Sequence, residues 1–150
     1  MYSISEKGLS LIKSYEGLKL EAYLCPAKVW TIGYGSTFYL NNSRVKQGDK
    51  LNSINEANSL LLHSLKNYEA CVIAGIKNAK INQNQFDALV SFTYNVGCAG
   101  FIRSTLLKLI LINPNNELIK EEFKKWNKAG GKVLNGLIKR RKEEYELYFS

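Results

Sequence analysis

The sequence predicts an α+β architecture: mostly helical, with a small N-terminal antiparallel β lobe joined by a long helix to a helical C-terminal lobe. Three observations carry this. Apolar residues recur at steps of three and four over most of the chain, the period of amphipathic helices. Between Leu20 and Val45 the pattern changes to short alternating runs rich in β-branched and aromatic residues, the period of strands. The length of 150 residues fits one domain, since domains run to roughly 100–200 residues. A chain of this size can bury a core without metal or disulfide staples, and an apolar content of 45% argues against disorder.

Taken in order, Ser3-x-x-Glu6 reads as a capping box that opens a first helix. Leu9, Ile12 and Glu16 follow on one stripe, and Gly17 is a plausible stop because it tolerates the left-handed conformation past a helix end. Leu20–Tyr23 and Val29–Tyr34 then alternate as two of two or three short strands, broken by Pro26 and by Gly33 and Gly35, with a turn at Asn41-Asn42-Ser43. Ser53-x-x-Glu56 is a second capping box. It opens the longest periodic stretch, Leu61, Leu65, Tyr68, Val72 and Ile76, which predicts a helix of some 20 residues. Further helices are expected over Gln83–Val96, Ser104–Ile112, Asn116–Asn127 (ended by Gly130-Gly131) and Gly136–Tyr148. The β lobe is thus placed at about 17–50 and the helical lobe at about 53–150 plus the first helix, with an active cleft expected between them.

Composition narrows the function. A net charge of +8 favours an anionic partner: nucleic acid, an anionic membrane surface or an acidic wall polymer. No helix-turn-helix or RRM-like motif supports nucleic acid. The run Lys139-Arg140-Arg141-Lys142 reads either as part of that basic surface or as the solvated face of a terminal helix. Three cysteines at irregular spacing, with one histidine and no C-x-x-C pair, argue against a disulfide framework and a zinc site. Cys71 and Cys98 are therefore expected to be small buried thiols, and His63 a surface or boundary residue. The first residues lack the apolar core of a signal peptide, and no run approaches the ~20 apolar residues of a membrane span. The expectation is a soluble protein made in a reducing cytoplasm.

The stretch from Tyr15 to Thr37 concentrates the chemistry. Cleaving a glycosidic bond needs an acid to protonate the leaving oxygen and a group across the sugar that orients or activates water. Glu16, sharing a stripe with Leu9 and Ile12, is suited to the first role, because desolvation favours the protonated acid. The alternative is a structural carboxylate paired with an arginine.

Glu16-Gly17-Leu18-x-Leu20-x-Ala22-Tyr23, then Cys25, then Trp30-Thr31-Ile32-Gly33-Tyr34-Gly35-x-Thr37 resembles the phage-type lysozymes of glycoside hydrolase family 24. Asn84-Gln85-Phe86-Asp87-Ala88-Leu89-Val90-Ser91-Phe92-x-Tyr94-Asn95-x-Gly97 resembles that family's central helix. Trp126 with Gly136-Leu137-x-x-Arg140-Arg141-x-x-Glu144 resembles its C-terminal signature. The resemblance implies a lysozyme-like fold and an endolysin that hydrolyses the β-1,4 bond between N-acetylmuramic acid and N-acetylglucosamine in peptidoglycan. Glu16, Cys25 and Thr31 match its three catalytic positions. Cys25 stands where many relatives carry a carboxylate; a free thiol has a pKa near 8.5, so a role in orienting water or stabilising charge is expected ahead of one as base or nucleophile. Inversion at the anomeric carbon follows if water sits between two well-separated groups.

Tyr94 is a candidate to line the sugar cleft, since aromatic faces pack on sugar rings, or equally a core residue at helical spacing with Val90. Gly35 is a further substrate-binding candidate, and Arg140 or Arg141 is the candidate charge partner of Glu16, the alternative being simple surface charge. No metal or cofactor is implied. The expected protein is a monomer, made in the host cytoplasm and reaching the wall in the periplasm once a holin-type partner permeabilises the membrane. The rival reading is non-enzymatic, a peptidoglycan-binding module or a cationic protein that damages membranes through its C-terminal helix.

Overall fold

Ser5, not Ser3, opens the first helix in the computed structural model, which describes residues 2–150. Helix α1 spans Glu6–Glu16. The Ser5 hydroxyl accepts from the Gly8 amide at 3.4 Å, while the Ser5 amide and hydroxyl both donate to the carboxylate of Asp87. Asp87 is fully buried and takes a further hydrogen bond from Gln83 Nε2 at 2.8 Å. The cap thus lies two residues later than expected because a distant carboxylate binds Ser5, a contact that a local S-x-x-E pattern does not contain. Gly8 permits the approach: a Cβ there would lie 2.7 Å from Ile4 and 2.8 Å from Asp87.

The chain divides into two compact units, one of Ile12–Asn67 and one of Met1–Leu11 with Tyr68–Ser150. In the first, strand β1 (Lys19–Leu24) pairs antiparallel with β2 (Trp30–Gly33). The register slips between Lys19 and Tyr23, a bulge beyond which Tyr23 faces Thr31 and Leu24 faces Trp30. Residues in the bulge turn to a third segment instead: the Ala22 amide donates to Asp49 O, the Leu51 amide to Leu20 O, and Glu21 bridges Lys50. The expected two or three strands are therefore two strands with isolated backbone bridges, Glu21 to Lys50, Ile32 to Ser36 and Phe38 to Arg44. Ile32, Val45 and Leu60 form the buried centre, with Ala22, Trp30, Tyr39 and Leu51 packed against it.

Helix α2 runs 23 residues, Ile54–Ile76. Ser53 caps it by accepting from the Glu56 amide at 3.3 Å, but the Glu56 carboxylate reaches the Asn52 amide, one residue short of a reciprocal box. Leu61, Leu65, Val72 and Ile76 are buried as the periodicity requires, and Tyr68 is half-buried.

In the second unit, α3 (Gln83–Val96) carries a complete capping box between Asn82 and Gln85. A short helix α4, Cys98–Arg103, was not expected, since six residues hold too few turns to show a period. Helix α5 (Thr105–Ile112) starts one residue later than expected, with Ser104 as its cap. Helix α6 is shorter than expected, Leu118–Lys124. Gly130-Gly131 does not end it; the pair forms the turn of a hairpin, with φ of 58° and 77°, between β3 (Lys128–Ala129) and β4 (Lys132–Val133). Two residues with positive φ make the primed turn that suits a tight hairpin. Helix α7 spans Asn135–Tyr148 and packs on α3 and α6.

The cysteine expectation is overturned. Cys71 of α2 and Cys98, the first residue of α4, form a disulfide. Cys98 is an exposed position rather than a buried one. Closing a loop of 27 residues stabilises the fold by about 3.5 kcal/mol in the chain-entropy account. Only the fold brings the two helices together at these positions, so the spacing alone carried no sign of the pair. Cys25 is the free thiol.

Candidate active site

Glu16 is the last residue of α1, followed by Gly17 at φ 68°, whose amide closes the helix on Lys13 O at 3.1 Å. Ile12, one turn earlier, is fully buried, and Glu16 itself is half-buried. The stripe holds, but it leaves the carboxyl partly open at the helix end. The Lys13 ammonium stands 5.5 Å from the ring centre of Tyr34, which ties the same turn of α1 to the end of β2.

Cys25 sits where β1 turns into β2. Its carbonyl accepts from the Lys28 amide at 2.8 Å and its amide donates to Val29 O at 3.0 Å, so Pro26, Ala27 and Lys28 form a three-residue hairpin loop. Lys28 takes φ 60°, as the last residue of such a loop does. The thiol pKa is lowered from its ordinary value, first by a hydrogen bond from the Val29 backbone and then by further hydrogen bonds, among them one to the Thr31 side chain, against an opposing desolvation.

Thr31 is buried on β2, and its hydroxyl donates to Val29 O at 3.0 Å. A hydroxyl carries one proton and two lone pairs. While the thiol is neutral its S–H can donate to Thr31; when it ionises, the hydroxyl can turn and donate to sulfur. A measurable consequence follows for Cys25. Its alkylation by iodoacetamide should reach half-maximal rate at a lower pH than that of a cysteine in an unstructured peptide. Thr31→Val should move the midpoint back up; an unchanged midpoint would remove Thr31 from the thiol's environment.

Glu16, Cys25 and Thr31 thus lie within one unit, with Cys25 and Thr31 joined directly. Tyr23 belongs with them and was not singled out as a site residue from the sequence. It faces Thr31 across the hairpin, and its pKa is raised by burial and then by the charges of Glu16 and Cys25. The available signal was strand alternation, which puts Tyr23 and Cys25 on one face.

Of the remaining candidates, Gly35 and His63 belong to the Ile12–Asn67 unit, and Tyr94, Arg140 and Arg141 to the other. Gly35 takes φ 92° just past β2. Tyr94 on α3 is half-buried and packs edge-on against Tyr68 with ring centres 5.1 Å apart. His63 is half-buried, in keeping with a boundary position. Arg140 and Arg141 are not surface charge: both are buried, paired with a fully buried Glu144 at 3.3 and 2.7 Å, while Lys139 and Lys142 on either side are exposed.

The fold is thus mostly helical α+β, with an acid at a helix end and a thiol–hydroxyl pair on the hairpin that follows. The chain belongs to the phage lysozyme family, whose model matches residues 13–144. It is 43% identical over 151 residues to an endolysin of Acyrthosiphon pisum secondary endosymbiont phage 1, covering 98% of each chain. It is 33% identical to the endolysin of Salmonella phage P22 over the full length of both. It spans about half, 55%, of a longer endolysin from Bacillus phage PZA at 41% identity. Among solved structures, an endolysin from Escherichia coli O157:H7 phage FAHEc1 superposes with a TM-score of 0.89 at 38% identity, over 99% of this chain and 94% of that one. The protein is a lysozyme-type glycosidase, a peptidoglycan-hydrolysing lysis enzyme.

Proposed function

We propose that the chain is a muramidase, cutting the β-1,4 bond between N-acetylmuramic acid and N-acetylglucosamine with inversion. The observation that carries this is the hydrogen-bonded Cys25–Thr31 pair on the hairpin that follows the helix-end acid Glu16. Glu16 gives its proton to the glycosidic oxygen as the bond to the anomeric carbon breaks. Water, oriented by Thr31 and Cys25, attacks the opposite face of the developing oxocarbenium ion, and its proton passes to the Cys25 thiolate, which ends as a neutral thiol while Glu16 ends as the carboxylate. Cys25 serves here as acceptor and orienting group, so no covalent sugar intermediate forms.

The lowered thiol pKa supports that role by raising the fraction of thiolate present at neutral pH. Tyr94 and Gly35 are kept as candidate sugar contacts, and Arg140 or Arg141 as the candidate charge partner of Glu16. The enzyme acts as a monomer on the periplasmic side after synthesis in the host cytoplasm, with a holin-type partner opening the membrane. The Cys71–Cys98 disulfide supports work on the oxidising side of that membrane.

Digestion of purified peptidoglycan tests the reaction. The expected products are muropeptides ending in reducing N-acetylmuramic acid, with the α anomer appearing first in proton NMR. Anhydromuramic ends would sink the hydrolytic reading, and the β anomer first would sink inversion.

A further inference from the structure

We infer that Tyr23 is a fourth residue of this hydrolytic site, its phenolic hydroxyl orienting the attacking water alongside Cys25 and Thr31. The inference rests on the muramidase reading above and extends it to a residue that reading does not use.

Three features of the fold lead to it. The first is the bulge in β1: the register slips between Lys19 and Tyr23, and the intervening residues pair with the Asp49–Leu51 segment instead. Bulges re-aim the side chains beside them, and the first residue back in register here is Tyr23. The second is the pairing itself. Residues directly opposite in an antiparallel pair present their side chains on the same face, so Tyr23 shares a face with Thr31. Cys25, two residues further along, falls on that face as well, by the alternation of a strand, and its amide bond to Val29 O continues the ladder. The third is environment. Tyr23 is half-buried, and its hydroxyl lies within electrostatic reach of both Glu16 and Cys25, the two groups between which an inverting water must sit.

Burial first, and then the neighbouring Glu16 and Cys25, raise the phenol above its ordinary value, so it stays protonated at neutral pH. It therefore offers a fixed O–H donor and two acceptor lone pairs, and takes no part as a base. A thiol is a weaker hydrogen-bonding partner than an oxygen, so a site built on cysteine gains from another oxygen to hold the water. The hydroxyl forms and breaks no covalent bond; the water's proton leaves as already described.

Tyr23→Phe tests this because it removes one oxygen and keeps the ring. On purified peptidoglycan the variant should lose kcat by at least about tenfold, with KM within about twofold and an unchanged thermal midpoint. Coupling supplies a second readout. If Tyr23 and Cys25 hold the same water, Tyr23→Phe in a Cys25→Ala background should cost much less than in the parent. Full activity of Tyr23→Phe would overturn the inference. So would a loss that appears only in KM or only together with a lowered midpoint, because that is the mark of packing. An additive double variant would also overturn it. Glu16→Gln, run beside these, separates the two levels: if it stays active the muramidase reading fails, whereas an inactive Glu16→Gln with a fully active Tyr23→Phe removes only the role of Tyr23.

Discussion

Glu16→Gln should lose lytic activity by about 10²–10⁴-fold while folding as the parent does. The carboxyl of Glu16 ends α1 at a turn fixed by the left-handed Gly17, and one helical turn below it Ile12 is fully buried. The backbone there is set by packing and by the Gly17 amide bond to Lys13 O, neither of which involves the carboxyl. Glutamine keeps the length and planarity of the side chain and can still donate a hydrogen bond, but it has no proton to surrender to a departing sugar oxygen. The measurement is clearing of outer-membrane-permeabilised Gram-negative cells, with circular dichroism to confirm the fold. A folded variant that clears cells as fast as the parent would return the protein to the non-enzymatic reading, in which charge or binding alone does the damage.

The hairpin that carries the rest of the candidate site was legible in sequence for reasons that can be separated. Strand alternation and the Pro26 turn place Cys25 and Thr31 near one another from local rules alone. Their roles came from the family resemblance and not from the pattern. Tyr23 was within reach of the same local rules, but the bulge that restores its register depends on the backbone of Asp49–Leu51, far along the chain, and local pattern says nothing about that. The same limit explains the displaced cap at Ser5, which answers to Asp87, and the Cys71–Cys98 disulfide. Short elements were missed for another reason: α4 and the β3–β4 hairpin hold too few residues to show a period, so Gly130-Gly131 read as a helix stop. The basic run at Lys139–Lys142 was the avoidable error. Arg141, Glu144 and Tyr148 step by three and four, the spacing of a buried stripe, and all three are buried.

That stripe sets the largest effect expected on stability. Glu144→Ala should destabilise the protein by about 3–5 kcal/mol, read as a lower urea midpoint with an unchanged slope. Glu144 is fully buried on α7. Its Oε2 accepts from Ser91 Oγ at 2.6 Å and from Arg140 Nε and Arg141 Nη2 at 3.3 Å each, and its Oε1 pairs with Arg141 Nε at 2.7 Å. Burial pushes its carboxyl up from the ordinary value, and Arg141, Arg140 and Ser91 pull it back. The two guanidiniums have further partners, Ser91 O at 3.1 Å for Arg140 and Asn95 Oδ1 at 2.9 Å for Arg141, with the Arg141 guanidinium 5.1 Å from the centre of the Phe92 ring. Those bonds fix the arginines on α3 but supply no negative charge. Alanine would therefore remove the carboxylate that faces both buried guanidiniums, and the cost is that of breaking a buried charge pair by deleting one partner rather than the net worth of the pair. Ser91→Ala, which removes the 2.6 Å bond to the carboxylate and a 3.5 Å acceptor of Arg140 but no charge, should cost about 1.5–3 kcal/mol and so fall below Glu144→Ala. If the two variants were equally stable to urea, the carboxylate would not be what holds α7 to α3.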